Sequence, residues 1–176
     1  STIIMEFLDE KFPEKPLKPL NPINIAKMRL WNKKIDEEIH NATAVISNCI
    51  AFRYQILNNK TTEEVEELIN QIPDENKRKL KHNFTFKGMD SEHFSPAIIK
   101  FENLFSELDN FLESYEWLAG NKYSLADAAY TPYLTRIEHL NLIDLIEKRK
   151  NLKNWYSKIK DRANYNLAIS KWINQD

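Results

Sequence analysis

LAGNKYSLADAAYTPYLTRIEHLNL, residues 118–142, reads as a turn, a capped helix start and one buried helix. Ala119, Gly120, Asn121 and Lys122 form a turn cluster, and Tyr123 is an apolar residue just ahead of the cap. Ser124 to Asp127 spells S-x-x-D, in which the serine hydroxyl accepts a first-turn amide while the aspartate reaches back to the cap. Between Leu125 and Leu134 only Asp127, Thr131 and Pro132 interrupt Leu, Ala and Tyr on nearly every face. A helix apolar all round belongs in a core. Pro132 lies two turns in, where it removes a backbone bond and bends the helix, a fault of about 3 kcal/mol in an exposed helix. Packing on all sides is therefore expected to hold it. Losing the Asp127 half of the cap is expected to cost on the order of 1 kcal/mol.

The rest of the chain suits a packed helical protein. Of 176 residues, 42% are hydrophobic and 29% charged. Lys and Arg total 25 against 26 Asp and Glu, so no overall field favours nucleic acid or an anionic membrane surface. No apolar run approaches membrane-spanning length, and acids within the first ten residues are unlike a signal peptide, which points to a cytoplasmic protein. With Cys49 as the single cysteine, neither an internal disulfide nor a cysteine-based zinc cage is possible. Gly88 and Gly120 are the only glycines, which excludes a P-loop and a Rossmann fingerprint. Scarce glycine and long 3.6-residue periodicity without sustained alternation argue for an all-α fold.

In chain order, Ser1 to Phe12 reads as an amphipathic helix with Ser1 as its cap, and its start on a bare cap suggests a chain cut from a longer one. Pro13, Pro16, Pro19 and Pro22 then recur every third residue in a stiff extended linker. Pro22 opens the longest helical pattern, running to about Leu57, and shorter helices are expected from Thr61 to Ile72 and from Pro73 to Phe86. A second long helix covers Ser91 to Tyr115. After the buried helix come a short piece around Leu142 to Arg149 and helices over Asn151–Arg162 and Asn164–Ile173. The domain reading is a remnant helix at 1–12, a linker at 13–22 and a helical domain at 23–176.

WLAGNKYSLADAA at 117–129, the R-x-x-x-L that follows, and NLKNWYSKIKDR at 151–162 together resemble the C-terminal domain of cytosolic glutathione transferases of bacterial type. The resemblance implies an all-α bundle around one buried central helix, opened by a capping box, Ser124 and Asp127, whose role is folding. STIIMEFLDEKFP is similar to the last helix of that family's thioredoxin-like N-terminal domain. Ser1 would then match the serine that holds the γ-glutamyl carboxylate of glutathione, although the acidic or amide residue that should precede it is absent. The alternative is a plain helix cap.

His40 closes WNKKIDEEIH and resembles the histidine that faces glutathione in beta-class members; the alternative is a solvated helix histidine. Met28, Trp31 and Ile35 occupy the part of that helix that lines the family's pocket for an apolar electrophile, and the same side chains equally suit a core or a dimer contact. Arg29, Asn32 and Asp36 share the exposed side of the stretch and read as solvated; the alternative is that they reach glutathione. Cys49 sits in an apolar stripe and reads as a packed small hydrophobe. Lys77, Arg78, Lys79, Lys81 and Lys87 read as a solvated face offset by Glu63, Glu64, Glu66 and Glu67, and the four histidines lack metal-binding spacing.

The resemblance implies a detoxifying glutathione S-transferase with glutathione as cosubstrate, a small apolar electrophile, no metal, and a homodimer as the parent protein. No catalytic residue is assigned in this chain, and thiol activation is expected in sequence outside it, leaving these 176 residues inactive alone. The ending RIEHLNL resembles bacterial members that include β-aryl ether cleaving enzymes. The rival reading is a non-catalytic interaction module of the same fold.

Overall fold

The computed structural model describes residues 1–173; the last three residues of the region expected as the helical domain lie outside them. Among the described residues the structure is helical throughout. Its one isolated bridge, Trp117 to Gly120, closes the turn ahead of the central helix. The helices are α1 (Thr2–Lys11), α2 (Pro22–Lys34), α3 (His40–Ser47), α4 (Arg53–Leu57), α5 (Thr62–Asn70) and α6 (Glu75–Lys87). They continue with α7 (Phe94–Leu112), α8 (Leu125–His139), α9 (Asp144–Glu147), α10 (Lys150–Lys160), α11 (Ala163–Tyr165) and α12 (Lys171–Ile173).

The chain forms two compact units, residues 1–37 with 103 onward, and residues 38–102. In the first unit α8 is the centre. Leu125, Ala126, Tyr130, Leu134 and Ile137 are buried on it, Met28, Trp31 and Ile35 come from α2 and its continuation, and Leu152, Trp155 and Ile159 come from α10. The Tyr130 hydroxyl donates to the Trp31 carbonyl at 3.1 Å, and the Trp31 ring stands edge-on to Tyr130 and to Phe111 of α7. The second unit carries α3 to α6 and buries Ala42, Ile46, Cys49, Val65, Ile69 and Phe84. Its helices start where the caps are: Thr61 and Glu64 form a capping box on α5, and Asp74 accepts the Lys77 amide at α6.

Three expectations are corrected. The long helix from Pro22 is not uniform: π turns at Ile35–Ile39 and Asn48–Phe52 interrupt it, inserting extra residues that rephase the helix beyond them. The stretch from Asn164 likewise carries a π turn, at Asn166–Ser170. Pro132 is not packed on all sides but exposed. A proline deprives the carbonyl four residues back of its partner, so an open side lets water take that acceptor. The proline segment between α1 and α2 is anchored by backbone contacts. The Asp9 carboxylate accepts the amides of Leu17 at 2.6 Å and Lys18 at 3.0 Å, and the Leu125 amide donates to the Leu17 carbonyl at 3.3 Å.

Candidate functional site at the start of α1

The first turn of α1 holds no acidic residue, and Ser1 makes no capping bond with its side chain. A helix start leaves its first amides without helical partners and carries a partial positive charge. This end is held in place from one side. The Thr2 hydroxyl, buried, donates to Asp36 Oδ2 at 2.8 Å. One and two turns further along, Arg29 forks onto Glu6 at 2.7 and 3.1 Å, which holds the Glu6 carboxyl below the usual range. The pairs Thr2 with Asp36 and Glu6 with Arg29 set α1 antiparallel to α2. Tyr133, half-buried on α8, completes the junction: burial pushes its phenol up, and the nearby negative charge of Asp36 adds to the shift.

Asn32 lies on the helical wheel between the face that meets α1 and the core stripe of Met28 and Ile35. It is 3% exposed, and neither its amide nitrogen nor its amide oxygen has a hydrogen-bond partner. Read as a solvated residue, it is instead sealed, whereas Arg29 and Asp36, read the same way, are exposed. Its spacing was the available signal: it stands four residues after Met28 and three before Ile35.

Met28, Trp31 and Ile35 are 0%, 8% and 1% exposed. Met28 and Ile35 are buried in the first unit, where α2 packs against α8. His40 belongs to the other unit, where it opens α3 directly after the π turn and is exposed. The structure thus brings together Thr2, Asp36 and Tyr133 beside Ser1, and of these only Ser1 was a leading candidate from sequence. Thr2 and Tyr133 carried no local signal.

Ser124 and Asp127 form the capping box and more. The Ser124 hydroxyl accepts the Ala126 amide at 3.2 Å and donates to Asp127 Oδ2 at 2.7 Å, while the Ser124 amide donates to the same oxygen at 2.8 Å. The other oxygen takes the Leu118 amide at 3.0 Å and the Trp155 indole N–H at 2.9 Å. Burial pushes the Asp127 carboxyl up, and these four donors pull against that shift. The pair ties the turn, α8 and α10 together.

Burial also pushes the Cys49 thiol up, which suppresses the reactive thiolate. The basic residues of α6 are engaged locally: Lys79 with Glu75, Lys87 with Glu92, Arg78 with the Ile72 carbonyl and Lys81 with Asn48. Among the described residues no group of three His, Cys, Asp or Glu is placed to hold a metal ion, and no helix is long and apolar enough to cross a membrane.

Residues 97–163 match the family described as glutathione S-transferase, C-terminal domain. A tetrachloro-p-hydroquinone reductive dehalogenase of Sphingobium chlorophenolicum is 34% identical over 79 residues, 45% of this chain and 32% of that protein. Glutathione S-transferase TCHQD of Arabidopsis thaliana is 35% identical over 72 residues, 40% of this chain and 27% of that protein. The matched segments therefore span a third or less of these curated relatives. The crystal structure of the beta-etherase LigF from Sphingobium sp. strain SYK-6 superposes with a TM-score of 0.80 at 25% identity, over 97% of this chain and 72% of that one.

Proposed function

We propose, from the premise that this chain carries the all-helical C-terminal domain of the glutathione S-transferase family, that it is the helical half of a glutathione-dependent enzyme acting on small aromatic electrophiles. The observation that carries the reading is the start of α1: uncapped by its own side chain, and pinned by the Thr2 to Asp36 bond. A carboxylate placed there meets free amides, the Ser1 hydroxyl and the positive end of the helix. Asp36 next to it offers an acceptor for an ammonium group. The γ-glutamyl end of glutathione presents both groups on one carbon, which matches that pairing of donor and acceptor.

Thiol activation is assigned to sequence outside these 176 residues. The electrophile is assigned to the side of the junction bearing Tyr133, whose raised pKa keeps it a neutral phenol able to donate a hydrogen bond. Met28, Trp31 and Ile35 support that wall from behind as its packing layer. An aromatic substrate is supported by the names of the relatives, which specify a chlorinated hydroquinone and a beta-ether linkage. A step common to both chemistries is attack of a glutathione thiolate on the carbon that loses halide or ether oxygen. His40 is a separate proposal, an exposed imidazole that donates to bound glutathione, and a homodimeric cytoplasmic protein is the expected context.

Calorimetric titration of glutathione into the whole protein and into residues 1–176 alone tests the reading. Saturable heat is expected for the whole protein and none for residues 1–176. Asp36→Ala in the whole protein should weaken glutathione binding by roughly tenfold, the loss of one charge-assisted contact. Absence of binding to the whole protein at millimolar glutathione would refute the proposal. Unchanged binding in Asp36→Ala and Ser1→Ala would refute the assignment to the start of α1.

A further inference from the structure

A second concavity, of about 570 Å³, lies in the first unit between the proline segment and the turn before α8. We propose that it binds a small aromatic carboxylate, an inference that does not rest on the function proposed above. Its lining includes Lys18, Lys27, Lys122, Asn24, Tyr115 and Tyr123, and no aspartate or glutamate. Lys18 is paired with Glu10, and the Lys27 and Lys122 ammonium groups focus a positive field into the hollow. Asn21, the cap of α2, and Ser124, the cap of α8, also line the cavity. The anion that satisfies such a site is carried by a flat body. Tyr115 and Tyr123 supply ring edges, Pro16 and Pro19 supply flat apolar surface, and the volume suits a molecule of about two fused rings.

The walls are built rather than loose. Asp9 fixes the backbone at Leu17 and Lys18, and Leu17 is tied to the first residue of α8. Lys27 is held 4.3 Å above the Tyr115 ring, and Tyr115 stacks on Phe111 at 4.5 Å. Tyr123 is clamped between the Arg162 guanidinium, 3.7 Å from its ring centre, and the edge of Trp117. Gly120 lets the turn close onto Asn24. It has φ of +127°, and a Cβ there would stand 2.9 Å from the Asn24 amide nitrogen. That contact holds Asn24 at the cavity wall, where its amide can donate to a carboxylate.

The test is a titration of the protein with 2-naphthoate followed by amide nitrogen and proton NMR, with the neutral 2-naphthamide as control. Shifts are expected at Gly120, at the Asn24 side-chain amide and along residues 16–20, with the amide binding roughly tenfold more weakly for want of the charge. Lys27→Met should weaken naphthoate by a similar factor, and Lys27→Arg should restore it. Lys122→Met, on the exposed turn, provides the same reading without touching the packing of Lys27 on Tyr115. Shifts confined to the apolar face of α1, such as Ile3 and Phe7, would overturn the proposal. So would equal affinity for naphthoate and naphthamide, or naphthoate binding unchanged in both methionine variants.

Discussion

Asp127 shows how one side chain can be read correctly in kind and too small in size. S-x-x-D announces a cap, and a cap alone is worth about 1 kcal/mol. The carboxylate also receives the Leu118 amide and the Trp155 indole, which lie nine residues before it and twenty-eight after it. Asp127→Ala would strand four buried donors, so a loss of about 3–5 kcal/mol is expected from urea unfolding, well above the roughly 1 kcal/mol of Ser124→Ala. Asn32 makes the opposite case. A buried amide without partners is a cost in the folded state, so Asn32→Leu should stabilise the chain by about 1 kcal/mol in the same experiment. A clear destabilisation would show that the amide is bonded to an internal water.

Glu92 gives a pH prediction in the second unit. The Asn83 side-chain amide, the Glu92 backbone amide and the Lys87 ammonium bring its carboxyl down from an ordinary 4.5 to about 2. Because the folded form is the weaker proton binder, its contribution to stability is present above pH 4.5 and is lost as pH falls towards 2. The melting temperature of Glu92→Gln should therefore fall less than that of the parent chain between pH 5 and pH 3, as measured by circular dichroism.

Among the elements, α1 and α8 divide along physical lines. α8 follows from its pattern: cap, apolar run and buried result agree, and only the exposure of Pro132 departs from it. α1 has the expected length, yet Ser1 makes no side-chain cap and Ile3, Ile4 and Phe7 are 84%, 63% and 60% exposed. Its polar side chains Thr2 and Glu6 are the ones engaged with α2 and the residues after it. Since those three apolar side chains have little surface to lose here, Phe7→Gln in residues 1–176 should leave stability within about 0.5 kcal/mol and reduce self-association in sedimentation. The same change in the whole protein should cost about 2 kcal/mol if a further domain covers that face, as the proposed function requires.

At the level of the molecule, the all-helical fold and the family resemblance were legible in the chain because they rest on local events. A cap needs four residues, a helical stripe about a dozen, and both are written contiguously. Ser124, Asp127, the helix starts at Pro22, Thr61 and Asp74, and the packed Cys49 could all be read this way. The candidate site could not. Thr2 meets Asp36 across 34 residues, Asp36 acts on Tyr133 across almost a hundred, and whether Met28 faces a ligand or a neighbouring helix depends on what covers it. The cavity that gathers Lys18, Lys27 and Lys122 is likewise made by three segments brought together. Local sequence specifies which residues are helical and which face is apolar, since those follow from bonds and side chains within a few turns. Which polar groups meet, and which apolar ones are sealed, is settled by long-range packing, where burial and pairing outweigh local preference.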